Sequence, residues 1–183
     1  MLVLITGGVA SGKSEIAERM SVSINSGKMA YIATMKADDE ECRKRVVKHR
    51  KMRETKGFAT FEVPYNLSFH IDKFKGYDTG LLECLSNLTA NEMFLAGRSG
   101  RETFKEICAA IKQLDREVGK LVIVSSTILA GINAYDQFTE EYIQVLGQIN
   151  CEIAAEADVV VEAVCSLPVI HKGKKEIGNE NFF

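Results

Sequence analysis

Residues 7–14 read GGVASGKS, and Gly7, Gly12, Lys13 and Ser14 occupy the four fixed positions of G-x-x-x-x-G-K-[ST]. The flanks suit the motif. An apolar run at 2–5 precedes it and reads as a buried strand. Ile16, Ala17 and Met20 follow with the spacing of one helix face. Strand, glycine-rich loop and helix are the setting of a phosphate-binding P-loop. Its glycines allow a tight turn, so the amides along Gly7, Gly8, Val9, Ala10, Ser11 and Gly12 are expected to point at phosphate oxygens. The helix N-terminus adds a field favourable to an anion. Lys13 is expected to reach the β- and γ-phosphates, and Ser14 to ligate Mg²⁺.

A loop of this kind needs a sheet behind it, and the rest of the chain supplies one. Strand-like runs recur at 2–5, 29–33, 58–63, 80–84, 121–125 and 159–164. Helical patterns lie between most of them. Phe104, Ile107, Cys108, Ile111 and Leu114 mark one amphipathic helix. Phe138, Tyr142, Leu146, Ile149, Ile153 and Ala157 mark a longer one. Such alternation predicts an α/β fold, a mainly parallel sheet with helices on both faces. Ligands of these sheets bind beyond the carboxyl ends of the strands, the edge on which the P-loop falls. With 183 residues, one domain over 1–170 is expected, followed by a polar tail at 171–183.

Composition narrows the function classes. The formal net charge of −2 argues against a broad nucleic-acid surface. No apolar run approaches the roughly 20 residues that span a bilayer. The run at 1–5 is too short for a signal peptide and lacks a basic start. Cys42, Cys84, Cys108, Cys151 and Cys165 are scattered, without a C-x-x-C pair, as expected of reduced thiols in the cytoplasm.

A P-loop enzyme needs a carboxylate near its Mg²⁺, commonly at the end of an apolar strand. Glu83, closing Leu81-Leu82-Glu83, is the candidate. Asp158 also adjoins an apolar strand, but at its start. After the second strand, an acidic turn at 38–41 leads into a basic run ending at Arg53. Glu41, Arg45, His49 and Arg53 are spaced by four and form one slanted stripe on a helix of about 3.6 residues per turn. An ordinary i,i+4 ion pair accounts for Glu41 and Arg45. An imidazole between two guanidiniums is expected to stay neutral, and a neutral imidazole can attack an α-phosphorus.

Taken together, these segments resemble the bifunctional adenosylcobinamide kinase / adenosylcobinamide-phosphate guanylyltransferase family. The likeness begins at GGVASGKS and continues through Tyr31-Ile32-Ala33-Thr34. The stripe Glu41, Arg45, His49, Arg50, Arg53 is similar to the family's E-x-x-x-R-I-x-x-H-R-x-x-R, with Val46 for isoleucine. Glu62, Pro64 and Leu67, then Leu82-Glu83-Cys84-Leu85 with Asn91, and finally Leu146 to Asn150 with Ala154, Ala157 and Asp158 complete it, over roughly residues 1–170.

The resemblance implies a RecA-like P-loop fold, commonly a trimer, and two reactions on one corrinoid. A nucleoside triphosphate, ATP or GTP, phosphorylates adenosylcobinamide. GTP then guanylylates a histidine, and the GMP passes to adenosylcobinamide phosphate. Carried over, that histidine is His49, Lys13 and Ser14 hold phosphates and Mg²⁺, and Arg53 and Glu83 line the nucleotide site.

Three segments depart from the family pattern. Ala10 stands where arginine is usual. The segment between Asn91 and Arg101 is short. The family's N-E-V-G-x-G-I-V-P is replaced at 126–134 by STILAGINA, which keeps only Gly131 and Ile132 and puts Thr127 at the carboxylate. These departures leave two alternatives open: a P-loop small-molecule kinase without nucleotidyl transfer, and a non-catalytic nucleotide-binding regulator.

Overall fold

The computed structural model describes residues 1–36, 56–127 and 136–177. Its frame is a seven-stranded sheet: β1 (Leu2–Gly7), β2 (Met29–Ala33), β3 (Phe58–Glu62), β4 (Thr79–Glu83), β5 (Lys120–Val124), β6 (Val159–Val164) and β7 (Leu167–Lys172). The order across the sheet is β3-β2-β4-β5-β1-β6-β7. Among the described strands, only the β6–β7 pair is antiparallel. β5 is central, lying between β1 and β4. One strand inserted between the phosphate-loop strand and the acidic strand is the RecA-like arrangement.

Helices cover both faces, because neighbouring side chains on a strand point to opposite sides. Val3 and Ile5 of β1 face α1 (Lys13–Ile24) and pack with Ile16, Ala17, Met20, Val122, Val124 and Val161. Leu2 and Leu4 face the other way. There they join Leu85 and Leu88 of α2 (Leu85–Phe94), Ile107, Ile111 and Leu114 of α3 (Gly100–Val118), and Leu146, Ile149 and Ile153 of α4 (Gln137–Glu156). Burial on both faces is why the central strands read as unbroken apolar runs rather than alternating ones.

Local chemistry sets the helix ends. Ser99 and Glu102 form a reciprocal capping box at the start of α3, and Gly119 closes it at φ 72°. The Asp136 carboxylate accepts from the amides of Phe138 and Thr139 at the start of α4.

All six expected strands form, with small shifts at their ends. Val63, Cys84 and Ser125 fall just outside them. Phe138, expected on the apolar stripe of α4, is instead 71% exposed, since the chain has only just entered the helix there. Four elements among the described residues go beyond the sequence expectation: α2, a 3-10 helix at Leu67–Phe74, the strand β7, and the short helix α5 (Lys174–Ile177). β7 runs to Lys172, into the segment read as tail.

Candidate functional site

The phosphate loop leaves β1 at Gly7 and enters α1 at Lys13. Two of its glycines are required by space. A Cβ on Gly7 would lie 2.5 Å from Ser11 Oγ and 2.8 Å from the Ala163 carbonyl oxygen. Gly12 has φ 89°, and a Cβ there would lie 2.9 Å from Ser166 Cα. Gly12 is also the N-cap of α1 and supplies no side-chain cap, so the first-turn amides are left for an anion. Gly8 contributes its carbonyl, which accepts from Lys13 Nζ at 3.0 Å and from the Ser11 amide at 3.3 Å. The lysine thus folds back over the loop. Val9 at the crest is 94% exposed, and Ala10 sits at φ 58°.

Neighbouring segments hold this loop from two sides. Cys165 and Ser166, both at positive φ, form the two-residue turn between β6 and β7. The Ser166 amide donates to the Ser11 carbonyl at 2.8 Å. Beyond β5, the Thr127 amide donates to the Gly7 carbonyl at 3.0 Å. Thr127, the residue at the family's carboxylate position, therefore lies against the start of the loop.

Glu83 ends β4, and the Ser14 hydroxyl donates to its Oε1 at 2.7 Å. The sheet order brings the two together: β1 and β4 flank β5, and both point their carboxyl ends at the same edge. This pair of oxygens suits Mg²⁺, a hard cation usually held by one or two protein oxygens together with substrate phosphates and water. Among the described residues no cluster of three or more His, Cys, Asp or Glu could hold a metal.

Behind Glu83 lies a hydrogen-bonded clamp. Thr34, fully buried just beyond β2, donates its hydroxyl to the Cys84 carbonyl and accepts from the Cys84 amide, both at 2.7 Å. Its own amide donates to the Glu83 carbonyl at 3.0 Å. Asn91 of α2 donates through Nδ2 to the carbonyls of Thr34 and Pro64, each at 2.9 Å. The Cys84 thiol is pushed up to about 11, first by burial and then by the Glu83 carboxylate. It stays protonated and is a poor nucleophile near neutral pH.

The structure thus brings together Gly7, Gly8, Ser11, Gly12, Lys13, Ser14 and Glu83, with Val9 and Ala10 completing the loop. His49 and Arg53 lie outside the described residues. Asp158 sits at the opposite edge of the sheet, where it accepts from the Leu2 amide at 2.8 Å. Thr34 and the turn at 165–166 have no assigned role in the sequence reading. No motif announces them: each acts through contacts with residues distant in the chain.

A family profile, CobU, described as cobinamide kinase / cobinamide phosphate guanyltransferase, matches residues 3–170. The chain belongs to this family. Its CobU-family relatives include the bifunctional adenosylcobalamin biosynthesis protein CobP of Pseudomonas aeruginosa, 27% identical over 93% of this chain and 97% of the relative. The bifunctional adenosylcobalamin biosynthesis protein CobU of Salmonella typhimurium is 27% identical, and that of Escherichia coli 28%, each over 92% of this chain and 98% of the relative. Among solved structures, the RadB recombinase superposes with a TM-score of 0.48 at 16% identity, over 88% of this chain and 73% of that one. Against the family pattern given above, the loop keeps Gly7, Gly12, Lys13 and Ser14 and has Ala10 where arginine is usual. No helix among the described residues is long and apolar enough to cross a membrane.

Proposed function

We propose that this protein phosphorylates adenosylcobinamide and then transfers GMP from GTP to adenosylcobinamide phosphate, using ATP or GTP for the first step. The observation that carries the reading is the Ser14–Glu83 contact at the head of the phosphate loop, in a chain that matches the CobU family over residues 3–170. In the kinase step the substrate hydroxyl attacks the γ-phosphorus, the bond to the bridging oxygen breaks, and the nucleoside diphosphate leaves. Lys13 and the first-turn amides of α1 offset the charge on the phosphoryl oxygens. Ser14 and Glu83 would hold Mg²⁺, which would supply further neutralisation of the phosphate charge.

A P-loop carries no nucleophile of its own, so the nucleotidyl step needs an added group. His49 is that group in our reading, with Arg53 lining the nucleotide site. Its imidazole nitrogen bonds to the α-phosphorus of GTP and pyrophosphate leaves. The phosphate oxygen of the corrinoid then attacks the same phosphorus and releases the imidazole. By family resemblance the assembly would be a trimer, and the scattered cysteines without a C-x-x-C pair suit the cytoplasm.

Intact-protein mass spectrometry after incubation with Mg²⁺ and GTP tests the covalent step. The expected result is a gain of one GMP, absent with ATP and absent in His49→Ala. A His49→Ala protein that still gains GMP overturns the assignment. The replacement of the family carboxylate by Thr127 favours one second reading, a kinase alone. It predicts phosphorylation of adenosylcobinamide with no GMP adduct.

A further inference from the structure

We infer that Thr34 is the positioning residue for the metal-holding carboxylate, tuning Mg²⁺ affinity through Glu83 without touching the ion. The inference rests on the reading of Glu83 as that carboxylate. Glu83 stands at a strand end, where the ladder stops and the backbone would otherwise be freer to move. Ala33 pairs with Glu83 in the β2–β4 register, so Thr34 lies beside Cys84. There its single hydroxyl satisfies both the amide and the carbonyl of Cys84. Its backbone amide binds the Glu83 carbonyl. The main chain is therefore gripped at Glu83 and at the residue after it, and the carboxylate that meets Ser14 hangs from this fixed point.

The demand on residue 34 is specific. The side chain must donate and accept at one atom, close to the main chain and in full burial. Serine meets the hydrogen-bonding demand, and threonine adds a stiff χ1. Valine matches the shape and supplies neither hydrogen bond. Asn91 anchors the far side by holding the Thr34 carbonyl, so the clamp is itself fixed to α2. Partners that orient a metal ligand commonly alter metal affinity by roughly 10–100-fold when removed.

The test is GTP affinity measured by calorimetry, once with Mg²⁺ and once with EDTA. The ratio of the two is the gain due to the metal. In Thr34→Val this gain should fall by about tenfold or more, with affinity in EDTA unchanged. Thr34→Ser should restore it to within roughly twofold of the parent. Glu83→Gln should lower the gain by itself, and Thr34→Val added to it should cause no further loss. If Glu83→Gln lowers the gain and Thr34→Val does not, the Thr34 inference is overturned while the carboxylate reading stands. If Glu83→Gln leaves the gain intact, the carboxylate reading fails and takes this inference with it. Equal losses with Mg²⁺ and with EDTA in Thr34→Val also overturn it, since they mark a general distortion of the site. Should Thr34→Val not fold, Thr34→Cys keeps a weak donor and acceptor and should give a smaller loss in the same ratio. An unchanged ratio there overturns the inference.

Discussion

At the scale of single residues, the site depends on a few side chains whose surroundings leave little choice. Lys13 rests on the Gly8 carbonyl, an acceptor that holds the ammonium over the curve of the loop. Lys13→Ala should leave the unfolding temperature nearly unchanged, because the contact is exposed. It should weaken GTP binding by more than about tenfold, because a charge-assisted contact to phosphate is lost. Equilibrium binding beside thermal unfolding checks both halves. Lys13, Ser14 and Gly12 were legible in the sequence because a phosphate loop is a local device: eight consecutive residues carry its geometry. Glu83 was legible for a different reason, as an acid closing an apolar run. Thr34 was visible only as one residue of a family motif. Its task is set by Cys84, fifty residues away, and no local pattern encodes that pairing.

At the scale of elements, the strands buried on both faces were easy to recognise, and the amphipathic α3 equally so. The start of α3 is a reciprocal cap in which the side chains of Ser99 and Glu102 each accept from the other's backbone amide. Ser99→Ala should cost about 1 kcal/mol of stability, read as a shift in the urea midpoint with an unchanged slope. β7 escaped the sequence reading for physical reasons. It is an edge strand, most of its residues are exposed, and Pro168 breaks its short apolar run at 167–170. Its turn uses Cys165 and Ser166 at positive φ, where Asn or Gly would have signalled a hairpin. The 3-10 helix was missed for a related reason, since its eight residues are too few to show a helical period.

At the scale of the whole molecule, the two edges of the sheet have separate tasks. The carboxyl edge carries the phosphate loop, Ser14 and Glu83. The amino edge is tied by charge: Asp78 accepts from the Ser26 amide at 2.7 Å and from Lys120 Nζ at 3.0 Å. These contacts, the Ser26 amide first and Lys120 next, lower its pKa from 3.8 to about 2. The folded protein therefore binds this proton less readily than the unfolded chain. The stabilisation is fully present above about 3.8 and is lost as the pH falls from there towards about 2. Asp78→Asn should flatten the fall in stability over that interval and leave the slope near neutrality unchanged. Urea midpoints measured across the acid range would reveal it, and parallel profiles for the two proteins would contradict it.

The place of β1 has a consequence for how the protein is made. Its hydrogen-bonding neighbours are β5 and β6, which begin at Lys120 and Val159, and the loop after it is latched by Ser166. A ribosome delivers the phosphate loop within the first fifteen residues, yet the strands that flank β1 and the turn that latches the loop emerge more than a hundred residues later. Pairings between such distant segments form slowly, and domains made from the N-terminus must wait for them. Nascent chains halted before residue 159 would carry the whole GGVASGKS motif and still lack the framework that makes it a binding site.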